Sequence, residues 1–238
     1  MFDWSNVKRH VVVDQLLELS SKLCNHIITP EDFHEIISKF LKKTFPITVT
    51  LEWDNKVKNQ KVMIGGSYYS DYDEYDRKCI ELNFYYNPII SEFKITKHRY
   101  YDICTLIADT ILHEIIHMRQ YRRRDFKPLP NYTSFARSSS IREEQSYLGC
   151  TDEIDAYGFN IACELLEKYK GNHRAVVKHL NLDLRKSRKS GGSWKMYLKS
   201  FEHDHNHEII KRLKKKVIRY LPRAKSGKPF KSRDWICH

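Results

Sequence analysis

His113-Glu114-Ile115-Ile116-His117, inside the apolar run from Ile103 to Met118, decides how the rest of this 238-residue chain is read. Two histidines four apart share one helical face, where both imidazoles can reach a single ion. The carboxylate beside the first is then placed to accept a proton from a water on that ion. From Arg99 to Arg124 there is no Gly or Pro, and Ile103, Leu106, Ile107, Leu112, Ile115 and Ile116 recur at helical spacing. The stretch therefore predicts one long, mostly buried helix. Buried histidines need partners, and either a metal or hydrogen bonds within the core would satisfy them.

Downstream, Thr151-Asp-Glu-Ile-Asp-Ala-Tyr-Gly-Phe-Asn-Ile-Ala-Cys-Glu-Leu predicts a second helix, with Thr151 as N-cap and Asp152 and Glu153 in its first turn. Asp109, one turn before His113, and Asp155, two residues after Glu153, are candidates to hold an imidazole N–H. Each is equally well explained as a solvated acid near a helix start.

HEIIH resembles the zincin metallopeptidases, whose active-site helix carries two His ligands and a catalytic Glu. Residues 118–135 contain neither Gly nor His, which departs from the metzincin pattern. The next histidine is His173, late for a SprT-like (Spartan-type) protease. The helix from Thr151 is similar to the glutamate helix of the gluzincins, where a Glu three residues before a small residue supplies the third ligand. That resemblance implies Zn2+ held by His113, His117 and Glu153, with Asp152 and Asp155 as competitors for the third place. It implies Glu114 as general base and acid, and Ala156 as the small residue that lets the two helices approach. Tyr157 stands where the thermolysin-like pattern has an Asp, so the usual supporting carboxylate is missing from that position. An oxyanion donor beyond the metal is expected of such peptidases; Tyr157 and His173 are the candidates, beside Tyr132 and Tyr147. The implied activity is hydrolysis of a polypeptide substrate, endopeptidase rather than exopeptidase. The resemblance covers the HEIIH segment and the Glu153 helix, not the basic C-terminal third.

The flanks predict an α+β fold with a zincin-like core and a small mixed sheet. Val12, Leu16, Leu17, Leu19 and Leu23 give Asn6 to Asn25 a helical pattern. Thr29-Pro30-Glu31-Asp32 starts a second helix reaching about Lys43, with Thr29 as N-cap and Pro30 in first place. Ile47–Trp53, Lys61–Ile64 and Cys79–Tyr86 read as strands. In zincins the strand before the HExxH helix often forms the sheet edge that pairs with an extended peptide. This marks Ile80–Tyr86 as a candidate substrate strand, beside its plain reading as an internal strand.

Charge divides the chain more sharply than hydropathy does. Residues 168–238 carry +16 and residues 1–167 carry −4, making up the formal +12 of the whole. The expected organisation is a catalytic domain over 1–169, a basic helical extension over 170–221 packed on that core, and a basic tail over 222–238 containing Trp235. Helical spacing recurs over Asn172–Leu184, Ser193–Phe201 and His207–Leu221, and 185–192 reads as an exposed basic loop. Lys211, Arg212, Lys214, Lys215 and Lys216 are candidates for phosphate contact with nucleic acid, or for an acidic protein surface. The plainer reading is the solvated face of an amphipathic helix. No zinc finger, helix-turn-helix or RNP signature is present, so any nucleic-acid contact is expected to be nonspecific. His203-Asp-His-Asn-His207 has metal-like spacing, yet reads better as a polar stretch before a helix, with Asp204 or Asn206 as an ordinary cap.

Six cysteines include no CxxC pair, and Cys24, Cys104 and Cys163 fall in apolar helical patterns, as buried free thiols do. With no leader-like start and no run of eighteen apolar residues, the expectation is a reducing, cytoplasmic setting away from membranes. Asn131-Tyr-Thr is then an unused glycosylation pattern. The Lys- and Asn-rich composition with a basic tail is similar to that of phage and viral proteins, which would place the chain in a host cytoplasm or a virion. A nucleic-acid-associated protein with the zincin core as scaffold, or a protease localised on DNA, are the alternatives.

Overall fold

The computed structural model describes residues 2–58, 62–130, 140–185 and 192–221. The architecture is α+β, and the chain divides into two compact units, Met1–Phe126 and Lys127–His238.

The first unit begins with a 3-10 turn, Trp4–Asn6, followed by α1 (Arg9–Leu17) and α2 (Ser20–Leu23). The single helix expected over Asn6 to Asn25 is thus broken at Glu18 and Leu19, and Val12, Leu16 and Leu23 stay buried on both sides of the break. Strand β1 (Ile27–Ile28) precedes α3 (Pro30–Thr44), whose start is as expected: Thr29 Oγ1 accepts from Asp32 N at 3.1 Å and Pro30 opens the first turn. Then come β2 (Ile47–Trp53), β3 (Met63–Tyr68), the short helix α4 (Ser70–Glu74), β4 (Ile80–Tyr86), β5 (Phe93–Lys94) and α5 (Lys97–Arg122).

The main sheet is mixed, in the order β2-β4-β3, with β4 parallel to β2 and antiparallel to β3. Strand β4 is therefore the centre of the sheet and not its edge, which corrects the expectation of a substrate strand at Ile80–Tyr86. Its burial explains why: Ile80, Leu82, Phe84 and Tyr86 are fully enclosed, and Asn83 on the other face is buried too. A strand covered on both faces belongs inside a sheet. The two edges are β2 and β3, and β3 begins at Met63 and carries the weak strand formers Gly65 and Gly66. Helices α3 and α5 cover one face of the sheet, α3 over β2 and α5 over β3 and β4, and α1 packs on α5.

The second unit is helical: α6 (Ile141–Gly149), α7 (Thr151–Lys168), α8 (His173–His179), α9 (Ser193–Ser200) and α10 (Glu208–Tyr220). Leu148, Ile154, Ile161, Leu165, Val176, Trp194, Tyr197, Leu198, Ile210, Leu213 and Val217 form one apolar core. Helix α7 therefore shares its core with α8–α10, and the charge boundary near residue 169 falls inside this unit. Gly158 lets α7 and α10 meet closely, since a methyl there would lie 2.8 Å from Lys216 Cβ. No helix among the described residues is long and apolar enough to cross a membrane. The tail 222–238, most of the 185–192 loop, Tyr132 and Asn131 lie outside the described residues.

Candidate metal centre

Helix α5 runs unbroken for 26 residues, about 39 Å, from a start capped by Thr96 Oγ1 on Arg99 N at 3.3 Å. Its middle is enclosed on nearly all sides. Ile103, Ile107, Ile111, Ile115 and Met118 form the apolar stripe, and a second stripe of buried polar groups runs beside it: Asp109, His113, His117 and Gln120, at steps of four, four and three. Such steps stack side chains along one helical face.

Each member of that polar stripe has a defined role. Asp109 accepts a two-pronged ion pair from Arg9 of α1, at 2.6 Å from Nε and 3.1 Å from the terminal nitrogen. His117 Nδ1 lies 2.9 Å from Gln120 Oε1. An amide oxygen can only accept, so Nδ1 carries the proton and the Nε2 lone pair of His117 is exposed toward its neighbour. That neighbour is His113, with the two Nε2 atoms 3.1 Å apart and the rings at 72°. Sequence reasoning passed over Gln120. The signal was present, because a residue three after a helical histidine lies over the same turn.

The pair passes a test of fit to zinc. Tetrahedral coordination at about 2.0–2.1 Å per nitrogen separates two ligating nitrogens by about 3.3 Å, close to the 3.1 Å observed. The Gln120 bond fixes the tautomer that a metal needs, which is the usual service of such an outer partner. Glu114 is 5 % exposed and lies over β3, where its carboxylate and Cγ crowd the space a side chain at position 66 would fill.

In the second unit, Glu153 occupies the first turn of α7 and is 1 % exposed. A carboxylate there is favoured by the positive end of the helix dipole. The cap is Cys150 and not Thr151, which stands one place inside the helix and accepts from Arg212 at 2.9 Å. Asp152 is also buried, and Ala156 is fully enclosed. Burial, with Tyr157 and Glu153 nearby, pushes the Tyr197 hydroxyl far above its ordinary value, so it stays a donor and bonds Leu148 O at 3.1 Å. Burial also raises the Cys150 thiol.

His113, His117 and Glu153 form a buried group that could hold a metal ion, with one ligand atom from each within 4.8 Å of the others. It is the one such group of His, Cys, Asp or Glu among the described residues. No protein-family model, curated protein or solved structure matches the chain.

The remaining candidates are placed less centrally. Asp155 accepts from Lys216 Nζ at 2.6 Å and from Tyr220 at 3.1 Å. Tyr157 packs edge-on against Tyr197, centroids 5.3 Å apart, and Tyr147 lies against the same core. His173 opens α8, beyond the far end of α7 from Glu153, some 22 Å along that helix. Burial lowers its basicity. His207 caps α10 by accepting from Ile209 N at 3.2 Å, while Asp204 accepts from Asn206 N. The HDHNH segment does cap the helix, but through His207 and not through Asp204 or Asn206 as expected.

Of the five basic candidates on α10, Arg212 bonds Thr151, Lys214 donates to Asn181 Oδ1 at 3.0 Å, and Lys216 pairs with Asp155. Lys211 and Lys215 are exposed, as is Arg219, and these three repeat every four residues along one side of the helix.

Proposed function

We propose that this chain is a zinc-dependent peptidase of the gluzincin type, with His113, His117 and Glu153 as ligands and a zincin-like core in the first unit. The observation that carries the reading is the buried His113/His117/Glu153 group, whose two histidines turn their Nε2 atoms toward one another. Three protein ligands are the set that leaves a catalytic zinc one open position. Bound there, the metal would supply a Lewis acid for the scissile carbonyl and an acidified water. Glu114 would take up a proton from the attacking water and pass it to the leaving amine, so the carboxylate would end as it began. Gln120 keeps His117 in the ligating tautomer, and Arg9 holds Asp109 one turn away. An extended peptide would pair with β3, the sheet edge next to Glu114, with main-chain hydrogen bonds.

Elemental mass spectrometry of the untagged protein, after dialysis against metal-free buffer, tests this together with casein cleavage. The expected result is about one zinc per chain in wild type and in Glu114→Ala, loss of zinc in Glu153→Ala, and loss of cleavage in both variants. A folded wild type that takes up no added zinc would sink the proposal.

A second reading rests on the exposed Lys211, Lys215 and Arg219 stripe: a nucleic-acid-associated protein, or a peptidase localised on DNA. Neutralising the three should lower the salt dependence of DNA binding by about one unit of slope per residue. Biological function that survives Glu114→Ala would favour the scaffold version.

A further inference from the structure

The two glycines of β3 are not equivalent. A methyl group on Gly65 would meet only the ring edge of Tyr85, at 3.2 Å, which can tilt aside. On Gly66 it would lie 2.6 Å from Glu114 Oε1, 2.7 Å from Thr110 Cγ2 and 2.8 Å from Glu114 Cγ. Carbon contacts ordinarily settle at about 3.5–4.0 Å, so something must move. Thr110 resists: it is β-branched, stands inside a helix, and its hydroxyl is bonded to Leu106 O at 2.9 Å. Glu114, whose contacting Oε1 stands at the end of an unbranched side chain, is the group that has to turn aside.

The register adds a second observation. Gly65 pairs with Asn83 and Gly66 with Leu82. Tyr69 N donates to Cys79 O at 2.8 Å, and hydrogen-bonded pairs alternate along an antiparallel ladder. Tyr69/Cys79, Ser67/Glu81 and Gly65/Asn83 are therefore the bonded pairs. The N–H and C=O of Gly66 point the other way, to the side of β3 that no strand among the described residues occupies.

We infer that Gly66 is a positioning residue for Glu114: its missing side chain seats the carboxylate over the edge strand at a point where that strand's own N–H and C=O face outward. The catalytic consequence rests on the peptidase reading; the seating of Glu114 does not. A substrate residue paired with Gly66 would be the one brought beside the general base.

The test compares Gly66→Ala with Gly65→Ala in the full chain. The carboxyl 13C NMR signal of Glu114, assigned by its loss in Glu114→Gln, should move in Gly66→Ala and stay in Gly65→Ala. Zinc content should be unchanged in both. Casein hydrolysis should lose about 100-fold in kcat with KM unchanged in Gly66→Ala alone, and Gly66→Ala/Glu114→Gln should be no slower than Glu114→Gln. If Gly66→Ala does not fold, Gly66→Ala/Thr110→Ser removes the rigid methyl, leaves only the Glu114 clash and takes the same readouts. A Glu114 signal that stays in place overturns the inference, as does a kcat loss that adds to that of Glu114→Gln. A signal that moves in a chain that cleaves nothing would uphold the seating of Glu114 and count against the peptidase.

Discussion

Replacing Gln120 by Leu removes an acceptor while keeping the volume of a side chain that is 8 % exposed. In the native chain the proton on His117 Nδ1 is held by Gln120 Oε1 at 2.9 Å, which leaves Nε2 unprotonated and able to accept. Without that oxygen a buried N–H would be orphaned, at a cost of about 1–3 kcal/mol. The metal-free protein escapes the cost by moving the proton to Nε2, where His113 Nε2 can accept it across 3.1 Å. Zinc cannot bind that tautomer, so the penalty reappears in full on metal binding. The expected signature is asymmetric: zinc affinity falls about 10–100-fold, while metal-free stability changes by less than about 1 kcal/mol. Competition against a chromophoric chelator measures the first and urea unfolding of the metal-free protein the second. Gln120→Glu, which keeps the acceptor, should retain affinity. An affinity of Gln120→Leu within threefold of wild type would refute the reasoning, and so would an equal loss of metal-free stability.

Two further outcomes follow from Asp73 and from the histidines His34 and His179. Asp73 accepts Arg122 at 2.6 and 2.8 Å and Tyr68 OH at 2.9 Å, with its own side chain 3 % exposed; because Arg122 is 35 % exposed and can turn to water, Asp73→Ala should cost about 2–3 kcal/mol in urea unfolding, and a loss below 1 kcal/mol would show the pair to be dispensable. Burial lowers the basicity of both His34 and His179, so the unfolded chain binds more protons near pH 6 than the folded one. Stability present above about pH 6.5 should then fall as the solution is acidified through that value, and His34→Leu, which also gives up a bond to the Thr50 backbone, should flatten the decline; an unchanged slope would remove His34 from the account.

What could be read from sequence was local in origin. The span of α5, the Thr29-Pro30 start of α3, the limits of β2 and the amphipathic α10 all follow from spacing or caps within a few residues. The break between α1 and α2 escaped, because apolar residues continue at helical spacing through Glu18 and Leu19, where the backbone only tightens to bonds three residues back. Helix α6 escaped although Ser140 and Glu143 form a reciprocal capping box, a signal the stretch does contain. Strand order lay beyond any local pattern: that β4 takes the centre rests on its pairing with both β2 and β3 across long stretches of chain, and a glycine pair in an edge strand looks like a loop until a helix is packed on it. The same holds for the cap of α7, where Arg212 takes the hydroxyl of Thr151 from 61 residues away.

The order β2-β4-β3 also has a consequence for the growing chain. The centre of the sheet is the last of its three strands to be made, and β2 must wait for a parallel partner 33 residues downstream, the interval from Ile47 to Ile80. Until Tyr86 has emerged, β2 and β3 have no native strand to join, and β2 has only α3 to pack against. Sheet formation in this unit is then a single late event driven by distant pairing, which makes it slow relative to the helices around it. The nascent chain is most exposed to wrong pairing in that interval, between the synthesis of its first strand and its third.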